Sequence, residues 1–512
     1  MAIDASVPQS PGWWLSRLGY KLLWEREDHI EYGYRGHPEI VPGLDRLQAY
    51  AENRAPLPLV PGIDPAEAAE WMRDARTNWT ALVIDSPAER LGVEGFRFGE
   101  KSEADDDAND IWQSNAMDAE SELVHYGALS QRRAFVLVED DGTGNPRMLH
   151  KTARQVAIAR DPHDPRKIAA GLYVYLDDWT GQSRATLWTP DEVHDFVSDL
   201  TDLVFPLNAA RLDSWAPFVL PSGKETSGPN ELGEVPLVPF VNRRNRRHDG
   251  FAEHEDVLSI QNRITTGVIQ LMAAGRYGAF RQRWAAGLQV GEDPLTGKPI
   301  QPFQLDIKKL WTTDDPDVKF GEFSATDLRP YVAAVESAVQ DLAAISKTPP
   351  HYLLGQVVNV SGDALKAAET GLASKVKSKK REFGESWEHA MRLAFKIKGD
   401  SRADERRAET IWADSESRTV SELADAAVKK ASAGVPWRQR MEDMQYTPQQ
   451  IARMEIDRAA DAMLTPDPDL MTRQTVTDNT GKPAPGQPAP NQPPADPRAV
   501  IGRGEPATPA AA

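Results

Sequence analysis

The sequence predicts an α+β fold, and three observations predict it. Between about residues 134 and 220 the hydrophobic period shortens toward two in the runs AFVLVED, RQVAIARD, GLYVYLDD and SRATLWT, bounded by turn-formers such as DDGTGN, DPHDP and DDWTGQ. That is the pattern of antiparallel strands joined by hairpins. On both sides of this block, apolar residues recur at steps of three and four, the spacing of a helix. The longest such run, SGDALKAAETGLASKVKSKKREFGESWEHAMRLAF (361–395), places Leu365, Ala368, Leu372, Val376, Phe383, Trp387, Ala390 and Ala394 at steps of three, four or seven. It predicts one helix of roughly 36 residues and roughly 54 Å, with Ser361 or Asp363 as its cap.

Composition bounds the function classes. At 512 residues, with 40% hydrophobic and 27% charged residues, the chain has material for several domains with cores of their own. Cysteine is absent, which excludes disulfides, thiol nucleophiles and Cys-containing zinc sites. Acidic residues outnumber Lys plus Arg by 77 to 59, a formal net charge of −18. Such a balance repels nucleic acid at long range and disfavours a simple basic-patch DNA binder, but not a protein past which DNA must slide without sticking. The start, MAIDASVPQSPGWW, has neither a basic n-region nor an apolar h-region, and no apolar run approaches the roughly 18 residues needed to span a bilayer. A cytoplasmic protein with no membrane partner is expected.

The elements follow in order. Residues 1–64 form an N-terminal segment with a helix over WWLSRLGYKLLWERE (13–27) and a Pro-punctuated stretch ending at Pro61-Gly62. From Pro65 a helical pattern runs through AEWMRDARTNWTALVIDSPAERL, then GEKSEADDDAND (99–110) reads as an exposed acidic loop. IWQSNAMDAESELVHYGALSQRR (111–133) reads as one further helix. After the strands, LPSGKETSGPNELGEVPLVPFVNRRNRR (220–247) reads as an irregular extended crossing. Residues 252–280 are helical, and 283–323, broken by Pro and Gly, read as a small β-containing insertion. The helix DLRPYVAAVESAVQDLAAIS (327–346) carries Tyr331, Val335, Ala338 or Val339, and Leu342 on one stripe. It stops at Thr348-Pro349-Pro350, because proline lacks a donor and restricts its predecessor. An extended loop then follows, in which Gly355 permits a tight turn. Beyond Gly399, TVSELADAAVKKASA and TPQQIARMEIDRAADAML predict more helices, and from Pro466 the composition is that of a disordered Pro-rich tail.

Catalytic and metal signatures are scarce. GEDPLTGKP (291–299) has the wrong glycine spacing for a P-loop and Pro299 where a magnesium-binding hydroxyl belongs. DDDAND (105–110) lacks the glycine and closing glutamate of a calcium loop and reads as solvated. His254-Glu255 lacks a second histidine one turn on, so a capped or exposed histidine is the reading. No G-x-S-x-G elbow is present. No cofactor, metal or catalytic residue is expected. On the long helix Lys366, Lys377, Lys380 and Arg381 fall within roughly a third of the circumference, beside the apolar stripe. They read as a solvated face, or as salt bridges to a neighbouring subunit.

The order of these pieces resembles the bacteriophage portal proteins, in particular the Gp6-like group of tailed double-stranded DNA phages. The resemblance is carried by NWTALVIDSPAERLGVEGFRF (78–98), IWQSNAMDAESELVHYGALSQRRAFVLV (111–138), GEVPLVPFVNR (233–243) and above all KTPPHYLLGQVVNVSGDALKAAETGL (347–372). It implies a non-enzymatic ring, normally a dodecamer, at one capsid vertex. In those terms 65–251 is the wing, 252–282 and 327–346 are stem helices, 283–326 the clip, 347–361 the tunnel loop, 362–400 a long wing/crown helix, and 401–465 a helical crown. Implied partners are double-stranded DNA held without sequence readout, the terminase large subunit, head-completion or adaptor proteins, and the major capsid and scaffolding proteins. The implied location is the virion, with host cytoplasm during assembly. The resemblance further implies that Lys347, Pro349, Pro350, His351, Tyr352, Leu353, Leu354 and Gly355 line or approach the channel, and that the basic cluster on the long helix meets acidic groups of the adjacent subunit. A monomeric scaffold or adaptor, or a catalytic component of the packaging machinery, are the rival readings; the latter needs a P-loop or a clustered acidic metal site.

Overall fold

In the computed structural model, residues 3–32, 38–56, 73–99, 103–198, 214–220, 222, 226–245, 249–279, 283–287, 317–322, 326–354, 362–415 and 420–464 are described. The chain divides into a unit of residues 1–448 and a second of 449–512. The described residues of the second, 449–464, belong to the helix α12 (Pro448–Leu464). Among the described residues no helix is long and apolar enough to cross a membrane.

Helix α1 (Pro11–Arg26) opens with Ser10, whose hydroxyl accepts from the Trp13 N–H, and with proline at the first helical position. Its Leu15, Leu18 and Leu22 pack on a sheet whose inward residues include Leu172, Val174, Leu187 and Phe196. That sheet has the antiparallel order β10-β9-β8-β7-β6, with β11 (Gly228–Pro229) also on β9; β6 is Val156–Arg160, β7 Ile168–Asp177, β8 Gln182–Trp188, β9 Glu192–Ser198 and β10 Trp215–Pro217. These are the strands that alternation in 134–220 predicts. A hairpin of β1 (His29–Tyr32) and β2 (Pro38–Val41) follows α1 and leads to α2 (Leu44–Ala51).

A second sheet has the order β12-β4-β5, with β4 (Arg133–Asp140) between β5 (Pro146–Thr152) and β12 (Leu237–Val241). The crossing 220–247 is therefore not irregular throughout. Pro239 removes a donor, yet β12 lies at the sheet edge, where a missing donor costs no ladder bond on the open side.

Helix α3 (Trp79–Ala88) is capped by Asn78, and β3 (Val93–Phe98) follows it. The stretch 111–133 is not one helix but two, α4 (Asp106–Ser114) and α5 (Met117–Ser130), with Ala116 between them at φ 52°. The side chain of Asn115 accounts for the break. Its amide donates to Ile111 O and Pro146 O and its oxygen accepts from the Met148 N–H at 2.8 Å, which turns the chain onto β5. The acidic run before it is also no free loop. Asp105 is buried, caps α4 through the Ala108 N–H, and accepts from Arg402 at 2.6 Å. Carboxylates gather there because a helix start carries partial positive charge.

Helices α6 (Leu258–Ala279) and α7 (Arg329–Ser346) pack along each other through Ile260, Ile264, Ala338, Val339 and Leu342. Gly267 allows the approach, since a Cβ there would meet Val335 Cγ2 at 2.8 Å. Between them β13 (Arg283–Ala286) and β14 (Lys319–Glu322) pair antiparallel; the P-loop-like 291–299 lies outside the described residues. The expected extended loop after Pro349 is corrected to a short helix, α8 (Pro350–Leu354), because a proline at the first helical position loses no hydrogen bond.

Helix α9 (Gly362–Ile397) has 36 residues. Its Leu372, Val376, Phe383, Trp387, Ala390 and Ala394 are fully buried; the side chain of Leu365 lies outside the described set. The expected all-helical segment after 400 opens with a single 3-10 turn (Ser401–Asp404) and then holds a strand, β15 (Ala408–Trp412), paired with β3. Helices α10 (Val420–Ser432) and α11 (Trp437–Asp443) follow. The predicted tail, 466–512, lies outside the described residues.

Around Trp387 the core is aromatic. Its ring lies 4.5 Å from Phe240 and 4.9 Å from Trp112, and its Nε1–H donates to His125 Nε2 at 2.9 Å. Burial pushes His125 down to about 3. His254, expected as capped or exposed, is buried with Nε2 against Leu47 O, and burial pushes it down to about 4. Both bind fewer protons folded than unfolded below the ordinary histidine value of about 6.5. Their contribution to stability is whole above that pH and is lost as pH falls through 6.5 toward 4 and below. Each site should add up to about 1.36 kcal/mol per pH unit to the slope. Urea titrations at pH 7.5, 6 and 5 should show falling stability, with a shallower fall in His125→Phe.

Candidate functional site

Two side chains on α9, Lys375 and Lys379, are one turn apart on the same face. Both reach Glu253, in the turn that leads to α6. Lys375 Nζ is 2.7 Å from one carboxylate oxygen and Lys379 Nζ 2.5 Å from the other. Lys379 also donates to Asn242 Oδ1 at 2.5 Å, just past the end of β12, while the Asn242 amide donates to Phe251 O at 2.8 Å. Lys375 donates to the carbonyl of Ser346, the last residue of α7. Gly250 is required beside this knot: its φ is 78°, and a Cβ would meet Asn242 O at 2.5 Å. Burial pushes the Glu253 carboxyl up, but Lys379 and Lys375 outweigh it and hold it at about 2. Burial pulls Lys379 below the ordinary lysine range, with Glu253 opposing.

This knot floors a cleft of about 320 Å³ whose rim includes Arg243, Asp256, Ile345, Lys347, Ser374 and Glu382. Arg243 pairs with Asp256 at 2.7 Å. Lys347 is exposed, at φ 55° where α7 ends.

A second cluster holds α8. Arg90 donates to the Tyr352 hydroxyl at 2.7 Å and to Ser415 O at 3.0 Å, and Tyr352 donates to Glu369 at 3.3 Å. His351 Nε2 is 3.9 Å from the same Glu369. Burial raises the Tyr352 hydroxyl above its ordinary value. Leu353 is buried among Val83, Ile260 and Leu342, and Pro349 is buried too. Of the expected channel residues, then, Pro349 and Leu353 are buried, His351 and Tyr352 are half-buried and bonded to the body of the chain, and Lys347 and Pro350 are exposed. The side chain of Leu354 and all of Gly355 lie outside the described residues.

The expected basic cluster divides. Lys377 and Arg381 are exposed. Lys380 is half-buried and donates to Ala413 O, near Glu94 and Asp414 of its own chain. The side chain of Lys366 lies outside the described residues. The residues that sequence reasoning missed are Lys375, Lys379, Glu253, Arg90 and Glu369. A signal for one was present: Lys379 occupies a place on the stripe Leu372, Val376, Phe383, Trp387 where an apolar residue belongs.

The family model described as "Phage portal protein, SPP1 Gp6-like" matches residues 36–442, which include the cleft and the α8 cluster whole. The chain belongs to this portal protein family. The "Portal protein" of Mycobacterium phage L5 is 30% identical over 397 residues, covering 73% of this chain and 76% of the relative. That of Mycobacterium phage D29 is 29% identical over 395 residues, with the same coverage. A solved structure of the "Virion of native gene transfer agent (GTA) particle" aligns with a TM-score of 0.41 and 8% identity, over 82% of this chain and 94% of that one.

The geometry of this portal family chain makes Glu253 the sensitive point. Removing one partner of a buried ion pair leaves the other charge unpaired, at about 3–5 kcal/mol. Urea unfolding should show Glu253→Gln destabilised by about that amount and Ser374→Ala, on the exposed rim, within about 0.5 kcal/mol of the parent. Adding Lys379→Met to Glu253→Gln should recover part of the loss.

Proposed function

We propose that the chain is the subunit of a portal ring, normally of twelve copies, at one capsid vertex, and that double-stranded DNA passes through its axis during packaging and ejection. The observation that carries this reading is the family match across residues 36–442. The protein acts as a structural conduit and assembly hub in the virion, and in host cytoplasm while heads assemble. It catalyses nothing itself.

Its parts follow the order expected from the sequence. Residues 65–251 act as the wing, 252–282 and 327–346 as the stem, 283–326 as the clip, 362–400 as the long helix and 401–465 as the crown. The packing of α6 on α7, with the β13–β14 pair between them in sequence, supports the stem and clip assignments. The terminase large subunit docks on the clip and is later replaced by head-completion or adaptor proteins. Major capsid and scaffolding proteins meet the outer parts of the ring. A net charge of −18 suits a wall that DNA must pass, because phosphate affinity grows with the cations that displace counterions.

Segment 347–361 approaches the channel. Tyr352 and Leu353 anchor its start through Arg90, Glu369 and the α6–α7 core, and on this reading residues 355–360 meet the duplex backbone without reading sequence. Lys377 and Arg381, exposed on α9, face the adjacent copy. Negative-stain images of the purified protein should show rings with an axial hole. Replacing 355–360 (GQVVNV) by Gly-Ser repeats should leave rings intact and lower DNA retention in packaged heads. Monomers at every protein and salt concentration would overturn the reading, as would carboxylate-dependent turnover of ATP or DNA.

A further inference from the structure

We infer that the outward face of α1 is a docking ridge for a polyproline II segment, and that residues 483–497 of this protein, PAPGQPAPNQPPADP, are the segment it takes. The inference goes beyond the portal reading and does not depend on it. Ridge and segment both lie outside residues 36–442, the span that the family model matches.

Helix α1 has two faces. Leu15, Leu18 and Leu22 are buried against the sheet. At about 100° per residue, Trp13, Arg17, Tyr20 and Trp24 fall within about 60° of one another on the opposite side. Tyr20 is 60% and Trp24 42% exposed, and Arg17 is exposed as well. The core gives no reason for large rings on that side. Two of the rings are also held in place by neighbours. The Arg17 guanidinium lies 4.7 Å over the Trp13 ring, Trp13 meets Trp14 edge to face at 4.7 Å, and the Trp24 ring lies 3.9 Å from that of His29. Rings already fixed lose little entropy when a guest settles against them.

Size and chemistry decide the guest. From Trp13 to Trp24 the ridge is about 17 Å long. A single helix ridge of that length falls far short of the roughly 800 Å² per partner that a stable contact between folded proteins buries. A bilayer is disfavoured too, because an interfacial helix needs its apolar face free and the leucine face of α1 already lies on the sheet. An extended proline-rich chain fits. Polyproline II repeats every three residues with a rise of about 9 Å per turn, and its prolines pack against aromatic rings with little ordering left to do. The step from Trp13 to Tyr20 is about 10 Å along α1. Prolines three apart, such as Pro485 and Pro488, match that spacing, and the residues between them, Gly486 and Gln487, are uncharged. The single charge in 483–497 is Asp496, opposite in sign to Arg17, the one charge among the four ridge residues. Arg17 forms no ion pair among the described residues, so it is open to that carboxylate.

The test is hydroxyl-radical footprinting of the full chain read by mass spectrometry, with Trp179, 98% exposed at the turn between β7 and β8, as internal reference. In a full-length variant with Pro→Ser at 485, 488, 490, 493, 494 and 497, labelling of Tyr20 and Trp24 relative to Trp179 should rise about threefold or more, with circular dichroism unchanged. A peptide of residues 482–498 added in excess to that variant should restore the parent's protection, and the same peptide with the six Pro→Ser changes should not. Equal labelling of parent and variant would overturn the inference, and if phosphatidylserine vesicles then protect the rings the ridge is a membrane contact instead. Protection that persists in the variant would overturn it as well, and marks a folded face of another copy as the cover. Each of these results leaves the portal reading in place.

Discussion

One carboxylate, that of Glu253, is the point on which four elements converge. Through Lys379 it meets α9, through Asn242 the end of β12, through Lys375 and the Ser346 carbonyl the end of α7, and along its own backbone the start of α6. A buried ion pair adds little net stability over a well-packed apolar substitute, because the desolvation of two charges offsets their attraction. What it does impose is geometry. An ammonium bonded to both Glu253 and Asn242 tolerates only one placement of α9 along β12, whereas leucine contacts alone would tolerate small slips.

That placement is then used over the whole length of α9. Further along the helix, Trp387 is held between Trp112, Phe240 and the His125 imidazole, and the Ser386 hydroxyl donates to Pro239 O on the edge strand. At its far end, Arg402 joins Asp400, Asp105 and Asp107 and lies over Phe395, tying the turn after α9 to the cap of α4. The hydrogen bonds that Arg402 donates to those aspartates push its guanidinium further up. Polar bonds thus mark the middle of the helix and the turn after its end, and apolar packing fills the stretch between them, where desolvation rewards it most.

The same arrangement bears on function. Segment 347–361 leaves α7 at the Glu253 knot and is tied again at Tyr352 by Arg90 and Glu369. On the portal reading proposed above, in which this segment approaches the channel, two polar anchors within six residues fix its base.

Local pattern determined much of this by itself. The 36-residue length of α9, the antiparallel block after 134, the stop of α7 before Pro349-Pro350 and the resemblance to portal proteins are all legible in the string, because helix period, strand alternation and proline's missing donor are properties of neighbours in sequence. Tertiary structure alone decided the rest. Asn115 breaks a helix because of a strand that starts 31 residues later, β15 forms because β3 has no other strand beside it among the described residues, and β12 survives a proline because it lies at an edge. Nothing near Lys379 in the sequence explains a lysine on the apolar stripe; Glu253, 126 residues earlier, does. Partners so far apart share no local periodicity, so the sequence shows a lysine out of place on an apolar stripe but not the carboxylate it pairs with.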